Sequence, residues 1–121
     1  NVHESPNGFR WKIVPERNDS APLEAGMITT DEPGVYFEGK YGIRTENELI
    51  CHKGEKNEYG QFMYFENITY APIDLDAIDP EQMSGRERQL LNEYHAMVYE
   101  TLSPYMTEEE NEWLRRYTRA V

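Results

Sequence analysis

Gly26-Met27-Ile28-Thr29-Thr30-Asp31-Glu32-Pro33-Gly34-Val35-Tyr36-Phe37, then Glu38-Gly39-Lys40, then Tyr41-Gly42-Ile43-Arg44-Thr45-Glu46-Asn47-Glu48-Leu49-Ile50-Cys51 is the stretch that decides the fold. Two runs rich in β-branched and aromatic residues flank a short loop with a glycine in it, which is the signature of a β-hairpin. Centring the turn on Gly39 sets Glu32 opposite Glu46 and Gly34 opposite Arg44. Side chains alternate faces along a strand, so Glu32, Tyr36, Arg44 and Glu46 share one face. Pro33 has no N–H to donate and must interrupt the ladder locally. Two carboxylates directly opposite each other repel. Arg44 on the same face can neutralise one, or a divalent cation can bridge both, since carboxylate oxygens suit magnesium, calcium and manganese. The plainer alternative is a solvated acidic face, and spacing by itself favours that alternative.

The chain has 121 residues, enough for one small domain with a modest core, and a formal net charge of −11. That charge argues against a nucleic-acid partner, which needs a basic footprint, and against docking to an anionic membrane. No apolar run has the length of a transmembrane helix and no signal peptide is visible. Cys51 is the one cysteine, so an internal disulfide is excluded and a reduced, cytoplasmic setting is the expectation. Cys51 reads as a small apolar strand residue. The sequence opens on Asn1-Val2-His3 with no initiator methionine, so a part of something longer is expected.

Outward from the hairpin, Asn7-Gly8 is a turn signal. Phe9, Trp11, Ile13 and Val14 alternate weakly with basic residues, as in a short strand or packed loop, and 15–22 reads as loop. Gly54 to Asn57 is polar with a glycine and is expected to be a second hairpin loop, followed by a third strand over 59–70. His52 has no partners at metal spacing and is expected to be structural. From Ala71 the character changes. Asp79-Pro80 fits a cap followed by proline at the first helical position. Ser84-Gly85-Arg86-Glu87 and Thr107-Glu108-Glu109-Glu110 are capping boxes. Leu90, Leu91, Tyr94, Met97, Val98 and Leu102 repeat at helical spacing until Pro104, and Trp113, Leu114 and Tyr117 form one face of a second helix. Strands followed by helices give an α+β layout, with antiparallel strands first and two C-terminal helices after them.

Asp31-Glu32-Pro33-Gly34-Val35-Tyr36 and Gly42-Ile43-Arg44-Thr45-Glu46-Asn47 resemble the two glutamate motifs of the aminopeptidase P (Xaa-Pro aminopeptidase) family, pita-bread metallopeptidases related to creatinase, prolidase and methionine aminopeptidase. Asn1-Val2-His3-Glu4-Ser5-Pro6 resembles the segment after that family's metal-binding histidine. Leu91-Asn92-Glu93-Tyr94-His95 and Trp113-Leu114 resemble the C-terminal extension of its three-domain members. The resemblance implies the C-terminal part of a pita-bread (creatinase/aminopeptidase-like) catalytic domain over 1–72 and a helical extension over 73–121. It implies hydrolysis of the bond before a proline in second position by a metalloaminopeptidase. Two divalent ions, manganese with zinc or cobalt as alternatives, would serve the full enzyme.

By the same resemblance Glu32 and Glu46 are metal ligands, Glu32 also moves protons, and His3 binds substrate near the scissile carbonyl. Tyr36 and Arg44 contact the substrate or the ligands. Two aspartates and one histidine of the family's five ligands precede Asn1. The chain alone is therefore expected to be inactive, to bind metal weakly or not at all, and to need the missing N-terminal part as partner. A homodimer is also implied, and His95 is expected to pack or cap. The rival reading is a non-catalytic acidic dimerisation module whose hairpin acids are merely solvated. A calcium module is disfavoured because no Asp-x-Asp-x-Asp-Gly loop is present.

Overall fold

The computed structural model describes residues 4–8, 10 and 12–121. Among the described residues five strands precede two α-helices: β1 Ile28–Asp31, β2 Gly34–Phe37, β3 Tyr41–Arg44, β4 Asn47–Asn57, β5 Gly60–Asn67, α1 Gly85–Leu102 and α2 Glu108–Tyr117. All strand pairs among the described residues are antiparallel, as expected of the α+β layout. Internal contacts divide the chain into two compact units between Thr69 and Tyr70.

In the first unit the decisive stretch forms one long, interrupted hairpin. Ile28 pairs with Ile50 and Asp31 with Asn47; beyond the interruption Gly34 pairs with Arg44 and Phe37 with Tyr41. The register is the expected one on both sides of the break. At the tip, Lys40 N–H donates to the Phe37 carbonyl at 3.0 Å. Gly39 takes φ 69°, a left-handed value that costs glycine least. At the break, Pro33 offers no donor, and its carbonyl accepts from Thr45 N–H at 3.3 Å. The ladder splits there into a β2–β3 ribbon and a three-stranded β1–β4–β5 sheet.

The second hairpin corrects the expectation of a loop over Gly54 to Asn57. β4 runs on through Asn57, and the turn is Glu58-Tyr59. Asn57 Oδ1 accepts from Tyr59 N–H at 3.0 Å, a side-chain turn, and Gly60 takes φ 132°. The glycine at 54 belongs to a bulge instead: the register shifts between Lys53 and Lys56. The Gln61 amide Nε2 donates to the freed Gly54 carbonyl at 2.9 Å. The third strand is also shorter than expected, ending at Asn67. Residues 15–22 carry a 3-10 turn at Pro15–Arg17, and Asn7 bridges Ser20; no longer strand forms among the described residues before Ile28, and Ile13 is exposed.

The second unit is built around α1. Ser84 Oγ accepts from Glu87 N–H at 3.3 Å while the Glu87 carboxylate accepts from Ser84 N–H at 2.7 Å. Thr107 and Glu110 repeat the arrangement at α2. Hydrogen bonds from Ser84 hold the Glu87 carboxyl below its usual pKa, and those from Thr107 do the same for Glu110. Leu75, Leu91, Val98 and Leu114 form the buried apolar core. Of the expected helical repeat, Leu90 is exposed; of the expected α2 face, Leu114 is buried while Trp113 is half exposed and packs tilted against Tyr117, ring centroids 4.7 Å apart.

The Leu91-Asn92-Glu93-Tyr94-His95 motif ties the rest of this unit to α1. Asn92 Nδ2 donates to the Val121 carbonyl at 3.2 Å, and Val121 N–H donates to Asn92 Oδ1 at 3.0 Å. Tyr94 OH donates to the Ala71 carbonyl at 2.6 Å. His95 is fully buried, and its Nε2 accepts from Ile73 N–H at 3.0 Å, so the neutral tautomer carries its proton on Nδ1. Burial pushes its pKa down, and a weaker interaction with the Arg119 backbone opposes that. The folded state thus binds fewer protons than the unfolded chain, whose histidine titrates near 6.5. Stability is full above that value and declines as pH falls through it. Thermal unfolding at pH 7.5 and 5.5 should show a lower midpoint in acid, and His95→Gln should shrink the difference; an unchanged pH dependence in that variant would contradict the assignment.

Candidate functional site

The site begins at the ladder break. Glu32 follows β1 and Glu46 precedes β4, so the interruption at Pro33 sets both carboxylates beside the last residue of β3, Arg44. Arg44 lies between them. Its Nη1 is 3.3 Å from Glu32 Oε2 and its Nε is 3.7 Å from Glu46 Oε2. The guanidinium thus supplies the counter-charge that two facing acids need. The Glu32 side chain is 21% exposed against 43% for Glu46, so Glu32 is the more enclosed of the pair. Ion pairs this open contribute on the order of 0–1 kcal/mol each, so they orient the acids more than they stabilise the fold.

Tyr36 has a floor of glycines. Its cross-strand partner is Gly42, and Gly34 precedes it on the same face. A Cβ on Gly34 would lie 2.5 Å from the Tyr36 hydroxyl oxygen, and one on Gly42 would lie 2.5 Å from Cδ1 of the ring. Only glycine at both places lets the ring lie over the ribbon beside Arg44. Tyr36, Arg44, Glu32, Thr30, Arg17 and Asn7 line one open cleft of the first unit, to which the segment from Glu4 to Gly8 also contributes. Glu46 does not line it. His3 lies outside the described residues.

Sequence reasoning missed Thr30. Its Oγ1 donates to Glu32 Oε1 at 2.8 Å. The available signal was its position two residues before Glu32 on the same strand face. His52, expected to be structural, sits 2.8 Å from Glu66 through Nε2 and stacks on Tyr64 at 5.3 Å. Its Nε2 makes no well-directed hydrogen bond among the described residues. Cys51 is buried and free.

The donor chemistry of Glu32 and Glu46 fits a divalent cation in kind, being oxygen from carboxylates. It falls short in number. Among the described residues no group of three or more His, Cys, Asp and Glu comes together. Two carboxylates are two of the five ligands that the resemblance implies.

Residues 1–53 match the family described as metallopeptidase family M24, and residues 61–121 match the C-terminal region of peptidase M24. This chain belongs to the M24 metallopeptidases. Among its relatives, aminopeptidase P1 of Arabidopsis thaliana is 38% identical over 123 residues, covering 99% of this chain and 19% of the relative. A probable Xaa-Pro aminopeptidase P of Laccaria bicolor is 36% identical, covering 96% of this chain and 18% of its own length. The crystal structure of X-prolyl aminopeptidase from Caenorhabditis elegans, described as a cytosolic enzyme with a di-nuclear active site, superposes with a TM-score of 0.71 at 30% identity. It matches 87% of this M24 chain over 18% of its own. The chain therefore spans about a fifth of the length of these relatives. The resemblance to aminopeptidase P read from the motifs stands, and with it the pita-bread fold. Among the described residues no helix is long and apolar enough to cross a membrane.

Proposed function

We propose that this chain is the C-terminal part of a metal-dependent Xaa-Pro aminopeptidase, which removes the N-terminal residue before a proline. The observation that carries the reading is the meeting of Glu32 and Glu46 around Arg44 at the ladder break. The names of its M24 relatives support the substrate class. Residues 1–72 would complete the catalytic domain and 73–121 would form the helical extension through which a homodimer assembles. Exposed Leu90 and Trp113 on the two helices support the dimer.

Glu32 and Glu46 would hold two divalent ions, manganese in the first instance and zinc or cobalt as alternatives, with the other ligands coming from outside this chain. The chemistry such a pair supplies when bound is Lewis acidity toward a carbonyl and a nucleophile available near neutral pH. The chain's own residues do the rest. Glu32 takes up and returns a proton, and its partial enclosure suits that task. Arg44 orients both carboxylates through its planar fork of donors. Tyr36, held on its glycine floor, presents a hydroxyl to the cleft. His3 binds the substrate and helps polarise it. A di-nuclear relative supports the metal count, and its description as cytosolic supports a cytoplasmic setting.

The first unit also presents Val35, Tyr36, Ile43, Phe62 and Tyr64, each more than half exposed. Apolar surface of that extent calls for a covering partner, and the N-terminal remainder of the same enzyme is the natural one. The test compares this chain with the full-length protein on an Xaa-Pro peptide with manganese. Full-length protein should cleave and the isolated chain should not. Turnover by the isolated chain would overturn the division of ligands, and no turnover by folded full-length protein would overturn the enzyme reading.

A further inference from the structure

We propose that Thr30 is a positioning residue for Glu32. The inference rests on the reading of Glu32 as a working carboxylate in the metal centre, and adds the group that aims it. Glu32 lies just beyond the last ladder pair of β1 and immediately before Pro33, so the backbone hydrogen bonds that fix a strand residue give out at this position. A glutamate also has three rotatable side-chain bonds to restrain. Its contacts with Arg44 and Thr30 help restrain them. Arg44 Nη1 approaches Oε2 at 3.3 Å, and the Thr30 hydroxyl donates to Oε1 at 2.8 Å.

The two contacts differ in stiffness. Arg44 is 41% exposed and shared with Glu46, so it follows whatever the two acids do. Thr30 is part-buried in β1, and its backbone is held opposite Glu48 in the three-stranded sheet. Branching at Cβ restricts χ1 in such a residue, so the strand itself fixes where the hydroxyl points. Thr30 therefore transmits the rigidity of the β1–β4 ladder to a carboxylate that has left it. A partner that hydrogen-bonds a ligand in this way is worth about 10–100-fold in metal affinity or activity.

The bland alternative is that Thr30 is merely a good strand former. Thr30→Val keeps the shape and the strand preference and deletes the hydroxyl; Thr30→Ser keeps the hydroxyl. The experiment uses the full-length protein, with Xaa-Pro peptide hydrolysis and manganese titration of the metal-free enzyme by calorimetry. Thr30→Val should lower kcat by about 10–100-fold with KM little changed, and weaken manganese binding by a similar factor, while Thr30→Ser, which keeps the donor without the branch, restores most of both. Wild-type kcat and manganese affinity in Thr30→Val would overturn the proposal, as would equal losses in the Val and Ser variants. Glu32→Gln is run alongside. Collapse in that variant with an unaffected Thr30→Val removes only the role of Thr30, whereas retained activity and metal binding in Glu32→Gln removes the metal-centre reading itself.

Discussion

Glu46→Ala in the full-length protein should lower Xaa-Pro hydrolysis by more than about a hundredfold, beyond the 10–100-fold typical of outer-shell partners. Two effects add. The variant removes one of the two carboxylates this chain contributes to the centre. It also releases Arg44, which then has Glu32 as its remaining acid in the pair and can close on it fully. The exposed fold contributions of Glu46 are small, so the loss would not come from unfolding: its ion pair at 3.7 Å is open, and such pairs contribute on the order of 0–1 kcal/mol. The discriminating comparison is therefore hydrolysis against thermal midpoint. Lost activity with an unchanged midpoint places Glu46 in the chemistry. Equal activity would take it out of the mechanism and leave the two acids as the solvated face that spacing alone suggests.

The hairpin register was legible because three local facts agree on it. Gly39 marks the tip, Pro33 marks the break, and β-branched and aromatic residues fill the arms. A one-residue slip would have turned every side chain to the other face, so a correct turn delivers the whole site face at once. Both capping boxes were legible for the same reason, since their chemistry is contained within four residues. The second hairpin was not. Gly54-Glu55-Lys56-Asn57 has the composition of a loop because that part of β4 is solvent-exposed and needs no apolar alternation. Its glycine serves a bulge, and the true turn at Glu58-Tyr59 works through the Asn57 side chain and not through an Asn-Gly pair.

The candidate site was legible at Glu32, Tyr36, Arg44 and Glu46 and silent at Thr30. Glu32, Arg44 and Glu46 announce themselves by charge and pairing. Thr30 is indistinguishable in sequence from Thr29, its neighbour on the opposite face, until the hydroxyl is seen on Glu32. The role of the glycines at 34 and 42 emerges only from the ring that lies over them. His95 was expected to pack or cap, and it does both: it fills the core and satisfies the Ile73 N–H. Its partner lies 22 positions upstream in an irregular segment, so helical periodicity could not supply it.

Leu114→Ala should unfold the helical unit more readily than any other single truncation on α2. Leu114 is completely buried, and it is the buried residue of a helix whose other nine positions are partly or wholly exposed. Truncating a buried leucine removes its transfer free energy and leaves a cavity, at a cost of about 2–5 kcal/mol. Small domains have only about 5–15 kcal/mol in hand. The capping box at Thr107 would still start the helix, but α2 spans only Glu108–Tyr117, too short to persist without its apolar anchor. The expected result is a loss of at least roughly 8 °C in the thermal midpoint followed by helical circular dichroism. Trp113→Ala provides the contrast. The larger side chain is half exposed and packs tilted against Tyr117, so its truncation should cost only about 0.5–1.5 kcal/mol beyond the modest area it buries. If the tryptophan variant lost as much as the leucine variant, the anchor of the helical unit would lie on the Trp113–Tyr117 face and not at Leu114. The order of the two effects thus separates a helix held from beneath by one leucine from a helix held across its surface by an aromatic pair.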